Sequence, residues 1–214
     1  MKIMLLLIVI SCCMIIVAKS QTTVRVACVG NSITEGSEIE AGKRYPDQLQ
    51  ELLGEKFQVK NFGLGGRTLL KRGEAPYWNE KYFKEVMSWS PRIIVIKLGT
   101  NDSKPHNWKY KDEFEADYRA FIQAFKNQIP SKKKIYVCTP VPAFKSAWGI
   151  SDKVIKEEIV PIIERVAKEE EVFLIDLYTP LLGKGEYFPD GIHPNAAGAN
   201  LIADVVYQAI KPQQ

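Results

Sequence analysis

The sequence is poor in the residues that usually hold metal ions. It contains only two histidines and four cysteines, and two of those cysteines, Cys12 and Cys13, are adjacent near the N-terminus. No cysteines have the C-x-x-C type of spacing found in zinc sites, and no histidine cluster accompanies them. We therefore expect neither a metal ion nor another cofactor.

Acidic residues are missing from the beginning of the chain. No Asp or Glu precedes Glu35, and Lys2 is followed by an apolar run from Ile3 to Ala18. A short positive end, an apolar stretch and small residues behind it are typical of a secretory signal peptide. We expect residues 1–20 to be removed, which indicates a secreted or periplasmic protein.

Two alternatives to this removal are open. A permanent membrane anchor is less favoured, because the apolar run is slightly shorter than the about 20 residues that a spanning helix needs. The segment Val9-Ile10-Ser11-Cys12 resembles a bacterial lipoprotein box, but the apolar run continues past Cys12, which argues against a lipid anchor. After removal of the signal we expect no stable membrane span.

Strong charge of either sign is also missing. The formal net charge is +4, and two of the positive charges, Lys2 and Lys19, belong to the expected signal peptide. So small an excess does not favour nucleic acid or an acidic membrane as a partner. The chain of 214 residues has 46% hydrophobic and 25% charged residues, with no internal repeat or linker. We expect residues 21–214 to form a single globular domain.

Five short apolar runs rich in branched residues predict β-strands. They are Val24–Val29, Phe57–Phe62, Ile93–Leu98, Ile135–Cys138 and Val172–Leu177. The stretches between them have apolar residues at three- and four-residue spacing, which predicts helices. They include Phe114–Phe125 and Val154–Val166, and we expect a last helix over roughly Ala196–Ile210. This alternation predicts an α/β fold, a three-layer α/β/α sandwich around a flavodoxin-like parallel five-stranded sheet.

Two cysteines, Cys28 and Cys138, lie inside predicted strands. We expect both to be buried and free, since an unpaired cysteine behaves as a small hydrophobic residue. A disulfide between them is the alternative in an oxidising compartment.

Small polar residues and glycines follow the first three predicted strands. They form the segments Gly30–Gly36, Gly63–Thr68 and Gly99–Asp102, and a fourth segment, Asp190–Pro194, precedes the last helix. Ligands of open parallel sheets bind outside the carboxyl ends of the strands. These four segments are therefore the candidates for the functional site.

The four segments contain the groups that acyl transfer requires. Ser32 is a candidate nucleophile, His193 the base that takes its proton, and Asp190 the carboxylate that orients the imidazole. The backbone N–H of Ser32, the N–H of Gly66 and the side-chain amide of Asn101 are candidates for an oxyanion hole.

The same segments resemble the four blocks of the SGNH hydrolase (GDSL esterase/lipase) superfamily, in order and in spacing. The resemblance implies a serine carboxylic-ester hydrolase in which Ser32, Gly66, Asn101 and His193 have the family's four named roles and Asp190 completes the triad. The serine block has Asn31 where the family usually has Asp. This G-N-S-I-T form is more similar to secreted bacterial esterases that act on carbohydrate than to thioesterases or lipases.

Aromatic residues near the predicted site suggest a sugar substrate. Trp78, Trp108 and Trp148 lie in segments that follow strand ends. Their rings could stack on sugar rings, or they could simply cover helix ends.

Several basic residues also follow the second and third strands. Arg67 is a candidate for substrate binding, and Lys71, Arg72 and Lys104 lie nearby in sequence. They could attract an acidic sugar, although ordinary solvated surface charges are the favoured interpretation.

These observations favour an O-acetylesterase acting on carbohydrate. A signal peptide argues against cytosolic acyl-CoA as substrate, and the lack of a long apolar lid argues against a lipase acting on bulk fat. A lysophospholipase or broad short-chain esterase is the alternative enzyme. A catalytically silent carbohydrate-binding protein is the alternative of another class.

Overall fold

The computed structural model of the chain describes residues 23–128 and 133–212. The expected signal peptide lies outside the described residues, so its removal stays a prediction. Within the described ranges, no helix combines the length and the apolar character needed to cross a bilayer.

One sheet of five parallel strands organises the described part of the chain. The strands are β1 (Val24–Gly30), β2 (Phe57–Gly63), β3 (Ile93–Lys97), β4 (Lys134–Cys138) and β5 (Phe173–Ile175). Their spatial order is β2-β1-β3-β4-β5, and every neighbouring pair is parallel. This is the flavodoxin-like order, which confirms the predicted fold class.

Helices cover both faces of the sheet. The α-helices of the described residues are α1 (Ser32–Glu35), α2 (Tyr45–Leu53), α3 (Lys81–Trp89), α4 (Pro105–Trp108), α5 (Lys111–Gln128), α6 (Asp152–Val154), α7 (Val160–Glu169), α8 (Tyr178–Leu181) and α9 (Ala196–Ile210). Residues of one strand point alternately to the two faces. Ala27 and Val29 pack in the layer of α3, α5 and α7, whereas Val26 and Cys28 pack in the layer of α2 and α9.

The predicted helix over Val154–Val166 contains a wider turn. A π-helical segment, Ile155–Ile159, lies between α6 and α7. Pro161 is in the first turn of α7, and proline has no N–H to donate to the carbonyl four residues back. The wider turn thus directly precedes the position at which the regular α-helical hydrogen bond cannot form.

The last strand is shorter than predicted. It ends at Ile175 rather than continuing to Leu177. The backbone N–H groups of Leu177 and Tyr178 instead donate to Oγ1 of Thr139, at 2.8 and 3.0 Å. These bonds turn the chain away from the sheet and into α8.

Both described cysteines are buried and free, as expected. Cys28 lies in β1 and Cys138 in β4, and β3 runs between them. Two strand spacings amount to about 10 Å, which is beyond the reach of a disulfide. Burial raises the pKa of each thiol to about 12, so both stay protonated and unreactive at neutral pH.

Candidate active site

Ser32 is presented by a tight turn at the carboxyl end of β1. Asn31 caps α1, because its Oδ1 accepts a hydrogen bond from the N–H of Ile33 at 3.1 Å, and Ser32 is the first residue of the helix. The short helix packs closely on the end of β2. A Cβ added to Gly63 would lie 2.1 Å from the backbone nitrogen of Glu35, so only glycine permits this approach.

The three residues predicted to form a triad lie in one hydrogen-bonded row. Oγ of Ser32 is 2.9 Å from Nε2 of His193, and Nδ1 of His193 is 2.7 Å from Oδ2 of Asp190. All three side chains are partly buried. The row has the geometry in which an imidazole can take the serine proton while a carboxylate holds the ring.

The segment between α8 and α9 fixes the Asp190 carboxylate. Gly191 has a φ of 85°, and the turn lets Oδ1 of Asp190 accept the N–H groups of Ile192 and His193, both at 2.7 Å. Burial by itself would raise the pKa of Asp190, but these hydrogen bonds and the contact with His193 outweigh it, so the pKa is lowered. Asp190 is therefore ionised when it faces the imidazole.

The three predicted oxyanion-hole donors line the same pocket as Ser32. Gly66 has a φ of 77°, a left-handed conformation that glycine adopts without strain. Within residues 23–128 and 133–212, the backbone N–H groups of Ser32 and Gly66 have no acceptor. Nδ2 of Asn101 donates to the carbonyl oxygen of Arg67 at 3.1 Å, which leaves its second hydrogen for a ligand.

Asp102 is a supporting residue to which the sequence reasoning gave no role. It is fully buried, and its Oδ1 accepts the backbone N–H groups of Leu69 and Leu70 at 2.9 and 2.8 Å. Burial raises its pKa to about 6, although the backbone hydrogen bonds act in the opposite direction. Asp102 thus ties the loop after β3, which carries Asn101, to the loop that carries Gly66. The sequence feature that could have indicated this role is the position of Asp102 directly after Asn101.

The pocket above Ser32 has a volume of about 340 Å³. Its walls include Glu38, Ile39, Trp148 and Ile150. The carboxylate of Glu38 lies within 4.8 Å of one side-chain oxygen of Asp190 and one ring nitrogen of His193. Carboxylate oxygens and imidazole nitrogens are groups that can bind a metal ion. Because Ser32 and Asp190 already engage both ring nitrogens of His193, no free imidazole nitrogen is left for a metal.

Only one of the three tryptophans predicted to bind substrate is at the pocket. Trp148 is 59% exposed, and its ring centroid lies 5.2 Å from that of His193 in an edge-on arrangement. It has a φ of 50°, an unusual backbone conformation for a residue with a side chain.

Trp108 belongs to the core and Trp78 packs against it; neither lines the pocket, which corrects their prediction as substrate-binding residues. Trp78 donates its indole N–H to the carbonyl oxygen of Leu69 at 2.9 Å and packs against Phe121. Trp108 is 7% exposed and packs edge-on against Phe114. Both rings cover hydrophobic surface beneath the loops instead of facing the pocket.

Arg67 binds neighbouring protein groups and is not placed to bind substrate, which corrects that prediction. Its Nε donates to Oε1 of Glu80 at 2.8 Å and its Nη1 to the carbonyl oxygen of Gly65 at 2.7 Å, and it does not line the pocket. The neighbouring basic residues are likewise engaged by acids. The ion pairs are Lys71–Asp117, Arg72–Glu113 and Lys104–Glu74.

A serine, a histidine and a carboxylate in a row, beside convergent N–H donors, define a site of the serine hydrolase class. The chain belongs to the GDSL-like Lipase/Acylhydrolase family, whose model matches residues 28–201. The resemblance found in the four sequence blocks is thereby confirmed.

Two curated relatives extend this finding. An acetylxylan esterase of Xylanibacter ruminicola is 45% identical over 215 residues, which cover 92% of this chain and 45% of the relative. The uncharacterized esterase YxiM of Bacillus subtilis is 29% identical over 174 residues, which cover 73% of this chain and 43% of the relative. The chain thus spans less than half the length of either relative.

Solved structures show the same fold. The acetyl xylan esterase AlAXEase has a TM-score of 0.69 at 24% identity, covering 87% of this chain and 100% of the other. An acetylxylan esterase of Geobacillus stearothermophilus has a TM-score of 0.67 at 20% identity, covering 90% of this chain and 96% of the other.

Proposed function

We propose that this chain hydrolyses O-acetyl esters on carbohydrate, outside the cytoplasm, through a Ser32–His193–Asp190 triad. The observation that carries the proposal is the unbroken row of hydrogen bonds from Oγ of Ser32 to the carboxylate of Asp190. The family of the chain and its 45% identical relative, an acetylxylan esterase, support it.

The reaction proceeds in two half-reactions. Oγ of Ser32 attacks the ester carbonyl carbon while Nε2 of His193 takes the hydroxyl proton, and the carbonyl oxygen becomes an oxyanion. The N–H groups of Ser32, Gly66 and Asn101 stabilise that oxyanion. Collapse breaks the bond to the alcohol, which leaves with the proton from His193, and the acyl group stays on Ser32. Water, deprotonated by His193, then releases acetate and restores Ser32.

The size and the lining of the pocket favour a substrate in which a sugar carries a small acyl group. At about 340 Å³, it is at the small end of the range for ligand pockets. The exposed indole of Trp148 stands beside His193, where the leaving alcohol departs. An aromatic ring there offers a flat apolar face on which the sugar ring that carries the ester can stack.

The first test addresses the nucleophile. Ser32→Ala should lose ester hydrolysis and labelling by a fluorophosphonate probe while its circular dichroism stays unchanged. Ser88→Ala, an exposed serine of α3, is the matched control and should behave like the wild type. Hydrolysis by Ser32→Ala at near-normal rate would show that the nucleophile is another residue.

The second test addresses the acyl group and the sugar. The kcat/KM should fall from acetyl to octanoyl esters of one alcohol; the opposite order would favour the lysophospholipase alternative. Trp148→Ala should raise the KM for acetylated xylo-oligosaccharides but not for ethyl acetate, which has no ring to stack. Equal effects on both substrates would remove the stacking role.

Location can be tested separately from activity. Expression of the full chain in a bacterial host should yield a periplasmic or secreted protein whose N-terminal residue, read by mass spectrometry, is Gln21. An uncleaved chain retained in the membrane would contradict the proposed release.

A further inference from the structure

The pocket wall carries two carboxylates that form no ion pair with any described lysine or arginine. Glu35 and Glu38 both line the pocket. Within residues 23–128 and 133–212, neither carboxylate forms an ion pair with a lysine or arginine. Lys104 is a basic residue of the lining, but its Nζ is 2.6 Å from Oε1 of Glu74, so its charge is already compensated.

Two further cations lie near the site without lining it. The aliphatic stem of Arg44 packs on Gly36, since its Cγ is 2.8 Å from the place of an added Cβ. Nζ of Lys145 donates to the carbonyl oxygen of Pro189 at 3.1 Å. Neither residue belongs to the pocket wall.

Glu38 is placed to act on the leaving alcohol. Its side chain is exposed, and its carboxylate lies within 4.8 Å of ligand atoms of both Asp190 and His193. His193 returns the proton to the departing alcohol, and Glu38 lines the same pocket as Ser32 and His193, so the sugar leaves through a pocket that contains the Glu38 carboxylate. An anionic group on that sugar would therefore meet a like charge.

We infer that Glu38 is a specificity-determining residue that selects against anionic alcohols, so that the pocket takes uncharged acetylated sugars rather than acetylated uronic acids. The inference rests on the proposed function. Two like charges about 4 Å apart in water repel by about 1 kcal/mol, which corresponds to about fivefold in kcat/KM. Salt should weaken this effect, because ions screen exposed charges.

The experiment compares two aryl acetates of nearly the same shape, 4-acetoxybenzoate and 4-acetoxybenzamide, which differ in charge. The ratio of their kcat/KM values is measured at neutral pH in 20 mM and 500 mM NaCl for the wild type and Glu38→Gln. Any change in the basicity of His193 affects both esters alike and cancels in the ratio. Glu51→Gln, an exposed glutamate of α2 away from the pocket, is the charge-matched control.

At low salt the wild type and Glu51→Gln should have the same ratio, which favours the neutral ester. Glu38→Gln should shift the ratio by about fivefold toward the charged ester relative to the wild type, because the intrinsic reactivities of the two esters are the same with both proteins. High salt should shift the wild-type ratio in the same direction. A ratio that Glu38→Gln leaves unchanged, or a wild-type ratio that salt leaves unchanged, would overturn this inference and leave the proposed esterase intact. Failure of the wild type to hydrolyse either ester would overturn the proposed function and the inference with it.

Discussion

Lys97 gives the strongest expectation about stability, because it is a charged residue in the core. It is the last residue of β3, it is 1% exposed, and no described residue accepts a hydrogen bond from its Nζ. Burial lowers its pKa from 10.5 to about 8. An unpaired ammonium group in such a place destabilises the folded state.

The size of the effect follows from the shift of the pKa. Each unit is worth about 1.4 kcal/mol, so the shift from 10.5 to about 8 costs the folded protein about 3 kcal/mol wherever the lysine is charged in both states, which means below pH 8. Between pH 8 and 10.5 the unfolded chain binds more protons at this residue, so this cost decreases as the pH rises.

The variant Lys97→Met keeps the length of the side chain and removes the charge. We expect it to raise the free energy of unfolding by about 3 kcal/mol at pH 7 and by only about 1 kcal/mol at pH 10. Urea titrations of both proteins at these two pH values measure the difference, and other titrating groups largely cancel in it. Lys84→Met, at an exposed position of α3, should change stability by less than about 0.5 kcal/mol.

Two results would refute this reasoning. A Lys97→Met protein less stable than the wild type at pH 7 would mean that the ammonium group has a favourable partner. A stability difference that does not shrink between pH 7 and pH 10 would mean that packing, and not the charge, accounts for the gain.

Three further predictions concern the site. Asp190→Asn should lower kcat by up to about 10,000-fold, because the imidazole loses the carboxylate that orients it and stabilises its charged form. Steady-state kinetics measure this loss, with circular dichroism to show an unchanged fold, and a near-normal kcat would remove Asp190 from the triad. Asn101→Ala should lower kcat roughly 100- to 1000-fold with little change in KM, since its amide acts on the transition state; a loss confined to KM would make it a substrate-binding residue. Asp102→Ala should lower the free energy of unfolding by about 2 kcal/mol or more, because two backbone N–H groups lose their acceptor. An unchanged urea midpoint would show that these hydrogen bonds do not stabilise the contact between the two loops.

The parts of the site that could be predicted from sequence are those fixed by strand ends. Runs of branched residues located the strands, and parallel strands bring their carboxyl ends to one edge of a sheet. Ser32, Gly66 and Asn101 each follow such an end, and the structure brings them to one pocket. The last helix was also predicted from the sequence, over roughly the bounds that α9 has, Ala196–Ile210.

The directions of side chains in loops could not be predicted in this way. Trp78, Trp108 and Trp148 all follow strand ends, but only local contacts decide which of the three faces the pocket. Trp78 points inward because its N–H finds the carbonyl oxygen of Leu69, and that partner has no sequence signature. Glu38 was missed for a similar reason, since it lies in an irregular loop where no periodic pattern indicates its direction.

The hydrogen bonds between the loops after β2 and β3 limit which residues of the pocket can be substituted during evolution. Asn101 and Asp102 bind backbone groups of the neighbouring loop, so an altered or exchanged loop on either side would misplace an oxyanion-hole donor. Glu38 and Trp148 border the same pocket but form no hydrogen bond with the triad or with those donors. Substrate range can therefore evolve, or be engineered in a focused library, at these two positions while the hydrolytic centre is inherited unchanged.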